Sequence, residues 1–372
     1  MEVKGIARVG AKTKELVHRL RPGDIAIIDH RDLDEVAADS LVAAKVKAVV
    51  NAADSISGRY PCQGPLLLLK HAVPLFDQAG AAVMSIPDGT SIVIKENELF
   101  GPHGWVANVV PRLLPEVQAA MADARRHWEP AVLEFVDNTL AYAEQEKQYF
   151  VGDIALPELE TQMRDRQVLV VVRGLNYRED LQAISSYIRE MQPVLIGVDG
   201  GADALLEQGY RPDIIIGDMD SITDKALDCG AEMIVHAYMD GRAPGAGRLD
   251  DKHVAYKLIR APGTSEDLAL VIAYQLGAQL IVAVGTHSNI VDFLEKGRPG
   301  MASTFLVRLK VGSLLVDAKG VSRLYQNRRQ RSYFLHVVIA ALVPITLIGL
   351  LSNDMRQLLR LLILSVRVSL GF

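Results

Sequence analysis

From residue 167 to residue 285 the chain repeats one pattern: a short apolar run, a turn rich in glycine and acid, then a stretch with helical spacing. The runs read VLVVV (168–172), VLIGV (194–198), IIIG (214–217), MIVHAY (233–238) and LIVAVG (280–285). Near-continuous Val, Ile and Leu mark strands buried on both faces, as in parallel sheets covered by helices. Between the first two runs, Leu181, Ile184, Tyr187, Ile188 and Met191 share one helical face, which predicts a helix over 180–191. Strands alternating with helices predict an α/β domain with a mostly parallel, Rossmann-like sheet.

Open sheets of this kind bind ligands beyond the carboxyl ends of their strands. The acids fall there. Asp199, Gly200 and Gly201 follow one run, and Gly217, Asp218, Met219, Asp220 and Ser221 follow the next. Glycines at such turns let the backbone approach a ligand. Asp218 and Asp220 are two apart, so in an extended loop they point the same way. Two or three carboxylates on one edge suit Mg²⁺, which takes oxygen ligands and bridges nucleotide phosphates. The same residues also serve ordinary turns, and Asp220-Ser221 fits a helix cap.

The segment VDGGADALLEQGYRPDIIIGDMDSI (198–222) resembles the catalytic domain of thiamine pyrophosphokinases, whose pattern is D-G-G-A-x(n)-G-x-x-P-D-x-x-x-G-D-x-D-S. The resemblance implies that fold, and transfer of pyrophosphate from Mg-ATP to the hydroxyethyl group of thiamine. It implies Mg²⁺ and ATP or a related nucleotide as cofactors. It gives Asp199, Asp218 and Asp220 metal roles and Asp218, Asp220 and Asp267 catalytic ones. Nucleotide contacts would come from Asp199, Gly200, Gly201, Gly217 and Ser221, joined after the last strand by Gly285, Thr286 and His287.

The pattern is incomplete. TSED (264–267) stands where the family has D-x-T-D, so only Asp267 carries over, and Thr264 with Asp267 also forms a capping box. GTHSN (285–289) stands where the family has G-G-R-x-D-H. An insertion, GRAPGAGRLDDKH (241–253), offers Arg242, Arg248 and Lys252 as a candidate phosphate loop. The β-sandwich that completes the family's thiamine site has no counterpart in MASTFLVRLKVGSLLVDAKGV (301–321). Nucleotide binding is therefore better supported than thiamine phosphorylation.

Charge divides the chain. Residues 323–372 carry seven arginines and one aspartate, a net of +6; with −5 for the whole, the first 322 residues carry −11. An acidic body argues against a nucleic-acid partner. Within the tail, YFLHVVIAALVPITLIGLL (333–351) contains no Asp, Glu, Lys or Arg and, as a helix, would span about 28 Å. Pro344 is tolerated in such a span. The preceding NRRQR (327–331) predicts a single-pass transmembrane helix in the cytoplasmic (inner) membrane, with the body in the cytoplasm and a short tail outside. Arg356, Arg360 and Arg367 share one stripe, as in an amphipathic surface helix. The N-terminus lacks the apolar region of a cleaved signal peptide, and Cys62 and Cys229 make no disulfide framework.

The leading residues GDIAIIDH (23–30), VKAVVNAAD (46–54) and AGAAVMSIPDGTSIVIKEN (79–97) mix short strands with a helix at 33–44. They resemble the swivelling, phosphohistidine-type β/β/α domain. No histidine stands near 57–60, and His30 and His71 lie elsewhere, so a smaller binding or docking module is expected there. Its candidate ligand loop is NAADSISGR (51–59), with a plain loop as the simpler reading. A helical connector follows, in which Val132, Val136, Leu140 and Ala143 form a stripe, broadened by Leu133 and Phe135, for packing or for a homodimer. The expected domains are 1–110, 111–165, 166–322 and 323–372.

This order of parts, with GTHSNIVDFLEKGRPGMASTFLVRLKVG (285–312), resembles the SteA proteins of the cytokinetic ring. That resemblance implies a cell-division role, a second membrane protein as partner, and a degenerate pyrophosphokinase-like domain used as sensor or scaffold. The alternative is an active transferase on thiamine or another alcohol.

Overall fold

The structure is a computed structural model describing residues 2–220, 222–287, 290–295, 300–324, 338–344, 346–347, 357, 360–361 and 363–365. Ser221, the 327–331 basic run, and Arg356 and Arg367 of the tail stripe lie outside the described residues. Met1–Val321 forms one compact unit, which holds both sheets, and Ser322–Phe372 forms another.

The first sheet contains β1 (Glu2–Gly10), β2 (Ile25–Ile28), β3 (Ala48–Asn51), β4 (Leu75–Asp77), β5 (Ser91–Lys95), β6 (Glu98–Gly101), β7 (Gly104–Asn108) and β8 (Val110–Pro111). Its order is β7-β6-β5-β1-β2-β3-β4-β8. Strands β1 to β4 run parallel, β5 to β7 add an antiparallel meander, and β8 closes the far edge. The expected smaller β/β/α module is thus a mixed sheet with one strand more than the second sheet. Strands β2 and β3 are buried throughout because helices cover one face and the meander side the other. The helix Glu35–Ala43 starts at Asp34, whose side chain accepts from the Ala37 N–H at 2.6 Å.

The loop 51–59 is a closed polar network. Asn51, Ser55 and Asp77 are fully buried. Asn51 Nδ2 donates to Ser55 Oγ at 2.7 Å, Ser55 donates to the Asp77 carboxylate, and Arg112 Nε donates to Asp77 at 2.7 Å. Arg112 also holds Asp54 at 2.7 Å. These hydrogen bonds turn inward, while Arg59 at the loop's end reaches out to the exposed Glu134 at 2.9 Å.

The helix Glu129–Val151 buries Ala131, Phe135 and Thr139, one position off the expected stripe; Val136 and Leu140 are exposed. Phe135 meets Phe293 with ring centroids 6.1 Å apart.

The second sheet contains β9 (Gln167–Val172), β10 (Val194–Val198), β11 (Ile214–Gly217), β12 (Glu232–Ala237), β13 (Tyr256–Arg260), β14 (Leu280–Val284) and β15 (Leu315–Asp317). Every pairing is parallel, in the order β13-β12-β11-β10-β9-β14-β15. The helix expected over 180–191 is two, Tyr177–Ala183 and Ser185–Met191, meeting at Ile184. The chain steps outward from β9 to β13, then returns to place β14 on the other side of β9. The order therefore reverses between β9 and β14, and a crevice opens beyond the strand ends there.

The expected transmembrane helix, and with it the single-pass cytoplasmic-membrane placement, requires correction. Among the described residues no helix is long and apolar enough to cross a membrane. A span takes about 20 continuous residues. Of 333–351 the described helical residues are 338–344 and 346–347, and the run 338–344 rises only about 10 Å.

Arg112 has a directly measurable role. Removing one member of a buried charge pair leaves the other uncompensated and costs about 3 kcal/mol or more. Arg112→Leu should lower unfolding stability by about that amount in urea titration. A change within experimental error would show that Asp77 is held without it.

Candidate functional site

A cleft of about 650 Å³ lies at the carboxyl edge of the second sheet. Its floor is the ends of β9 and β10, at Val172 and Val198. Asp199, first after β10, takes the left-handed conformation at φ +47°. That region is uncommon for residues other than glycine and is often held at functional sites. Its carboxylate turns to the neighbouring strand end, where Oδ1 accepts from the Asp218 N–H at 2.9 Å. Gly217 makes this possible, since a Cβ there would fall 1.8 Å from Asp199 Oδ1. Gly200 and Gly201 are buried at the start of the following helix, Gly201–Glu207.

The turn after β11 is not extended. Met219 has φ +62° and a fully buried side chain. Asp218 is half-buried beside Asp199, while Asp220 is exposed and its N–H donates to Asp218 Oδ1 at 3.1 Å. The two acids are therefore not parallel neighbours, although both line the cleft.

Asp267 is a cap. Thr264 and Asp267 exchange side-chain and backbone hydrogen bonds at 3.0 Å each, and Ser303 and Thr304 donate to Asp267 at 2.7 and 3.2 Å. Burial, then the charge of Glu266, pushes the Asp267 carboxyl above its ordinary range. Glu266, which replaces the family's threonine, lines the cleft, and its Oε2 lies 3.2 Å from His287 Nδ1. His287 therefore reaches the cleft. Thr286 faces away, its hydroxyl accepting from Arg308 at 3.1 Å. Gly285, at φ +68°, lets this loop cross β9, for a Cβ there would lie 2.0 Å from the Val172 carbonyl.

The insertion divides. Arg242 lines the cleft, paired with Asp240 at 2.6 Å and lying over the Tyr238 ring. Arg248 instead donates to the Met219 carbonyl at 2.9 Å and to Asp224 at 2.7 Å, and Lys252 also pairs with Asp224. These two brace the acidic turn from behind. Residues the sequence did not single out also line the cleft: His236, held by Ser265 and the Ala261 carbonyl, and Glu146 from the connector. Burial and the nearby charge of Asp267 raise the Glu146 carboxyl. Only the tertiary fold brings Glu146 here.

Residues 184–240 match the family model of the thiamin pyrophosphokinase catalytic domain, and residues 319–368 match that of the SteA-like C-terminal domain. The chain joins a thiamin pyrophosphokinase-like domain to a SteA-like C-terminal domain. No curated protein matches. Among solved structures, a thiamine pyrophosphokinase from Bacillus subtilis is 24% identical over 35% of this chain and 52% of its own, with a TM-score of 0.22. The matched part thus spans about half of that protein. An uncharacterized protein from Pseudomonas syringae pv. tomato is 13% identical over 38% of this chain and 70% of its own, with a TM-score of 0.17. At those scores neither superposition carries an argument, and the likeness rests on the two family matches.

Among the described residues no group of three or more His, Cys, Asp or Glu side chains is arranged to hold a metal ion. The pair Asp199 and Asp218 does fit Mg²⁺ chemically. That ion keeps several waters and binds through one or two carboxylates plus substrate phosphates. Burial, and next the charge of Asp218, pushes the Asp199 carboxyl up to about 7. A carboxyl raised in the folded state stabilises the fold while protonated, and the contribution is lost as pH rises through about 7. Asp199→Asn keeps an oxygen for the Asp218 N–H but removes the charge. Its thermal midpoint should gain on the native protein steadily from pH 4 to about pH 7, reaching several degrees, and hold that lead above. Parallel pH profiles would contradict this.

Proposed function

We propose that the second sheet carries a Mg²⁺-nucleotide site and that the chain works as a nucleotide-responsive sensor or scaffold in cell division. The observation that carries the first part is the Asp199–Asp218 pair. Two carboxylates meet beyond the ends of the neighbouring strands β10 and β11, and burial, then the charge of Asp218, raises Asp199 to about 7. Asp199 and Asp218 would hold the ion, which would supply charge neutralisation for the phosphates. Gly200, which lines the adjoining cavity, would leave the backbone open to the nucleotide, while Gly201 lets its helix pack on β9, where a Cβ would lie 1.9 Å from the Val171 carbonyl; Arg242 would face the phosphates from the cleft's rim.

Binding without rapid turnover is the better supported outcome. The acid at 267 is spent on a cap and on Ser303 and Thr304. Where the family pattern runs G-G-R-x-D-H, this chain has GTHSN (285–289): a histidine beside Glu266 stands at the arginine position, and a threonine turned away stands at the second glycine. The division role is supported by the SteA-like match at 319–368, and a protein partner at the division site is part of the same proposal.

The full chain should bind Mg-ATP in isothermal titration, lose binding when EDTA replaces Mg²⁺, and lose at least about tenfold in affinity in Asp218→Ala. Thiamine added to the complex should release little AMP. Rapid thiamine-dependent AMP release, abolished in Asp218→Ala, would make the chain a transferase instead. Absence of Mg-ATP binding would remove the nucleotide role.

A further inference from the structure

The N-terminal half of the compact unit reaches the acidic strand ends. A second cavity, of about 570 Å³, is lined from that half by Lys12, Lys14 and His30 and from the second sheet by Arg173 and Asp199. It shares Val172, Val198, Asp199 and His287 with the acidic cleft, so the two spaces adjoin along these residues.

Lys12 and Lys14 flank a fixed point. They sit where β1 gives way to the short helix Thr13–Val17. Thr13 is buried and its hydroxyl lies 3.1 Å from His30 Nδ1, while His30 Nε2 lies 3.3 Å from Asp34. Leu16 is fully buried in the core below. With Thr13 turned inward, both lysines are exposed. The hydrogen bond from Lys12 to Glu15, at 2.9 Å, holds its ammonium above the ordinary range, and the charges of Asp220 and Asp218 add to this. The charge of Lys14 acts on Asp199. Two cations of the N-terminal half therefore face the acidic edge of the other.

Taken with the Mg²⁺-nucleotide reading, on which it rests, this arrangement has a direct chemical sense. Asp199 and Asp218 would hold a metal that supplies charge neutralisation for phosphates, and a metal-bound triphosphate would still carry net negative charge. That charge would meet the lysines. A lysine ammonium is a compact point charge on a flexible stem, suited to phosphates that arrive between two walls. We propose that the polyphosphate chain of a nucleotide binds across the gap between the two halves, contacted by Lys12 and Lys14 from the N-terminal side. Ligand binding then ties the N-terminal half to the strand ends, which gives a scaffold its dependence on nucleotide.

The test uses the full chain, with Mg-ATP and Mg-tripolyphosphate as probes in isothermal titration. K12A/K14A should bind both about tenfold or more weakly, with a shallower dependence on salt, and K12R/K14R should recover most of the loss. Both lysines are exposed, so thermal unfolding of the variants should match the native protein. If the native chain binds both probes and K12A/K14A binds them equally well, the bridging role is overturned while the nucleotide site stands. If the native chain binds neither, the nucleotide reading fails, and the bridge with it.

Discussion

Two carboxylates and one glycine set the geometry on which the site depends. Asp199 leaves β10 in a left-handed conformation and folds its side chain onto Gly217, the last residue of β11. The Asp218 N–H then closes on the carboxylate. That contact fixes two adjacent strand ends and forces a second acid beside the first. Bringing carboxylates together in partial burial is unfavourable unless a proton or a cation joins them. Asp199 retains a proton up to about pH 7, and a divalent ion would serve the same need.

The surrounding residues support this contact rather than compete with it. Arg248 and Lys252 lie behind the turn and bind Asp224 and the Met219 carbonyl, which keeps Asp218 and Asp220 at the rim. Asp267 ties the start of the helix Ser265–Gln275 to Ser303 and Thr304, and so fixes the cleft's far wall. Glu266 sits next to it and positions His287. On the open side stand Lys12 and Lys14, supplied by a different sheet.

The central sheet was legible because its strands are buried on both faces, so Val168, Ile196 and Ile215 leave no alternation to misread. Strand β13, YKLIR, half exposed, and β15, three residues long, carry too little apolar signal. Strand β1, EVKGIARVG, alternates with charges although it lies mid-sheet, between β5 and β2. Of the connector's buried face only Phe135 carries an apolar signal in the sequence; Ala131 is small and Thr139 polar, while the more apolar Val136 and Leu140 face outward. The acidic turns were read correctly as placed at strand ends. Their internal geometry was not, since the left-handed Met219 between Asp218 and Asp220 has no signature in residue type. Contacts such as Arg248 to Met219, or Glu146 beside Asp267, join residues 29 and 121 positions apart and exist only once the sheet has formed.

A metal-bound nucleotide seated at the carboxyl edge of the second sheet would shield the backbone of both acidic turns. Amide hydrogen exchange on the full chain, with and without Mg-ATP, reads this residue by residue. Exchange should slow at 199–203 and 217–220 and at 12–16, with the β3–β4 side of the first sheet unchanged. Protection confined to other regions, or none at saturating Mg-ATP, would contradict it.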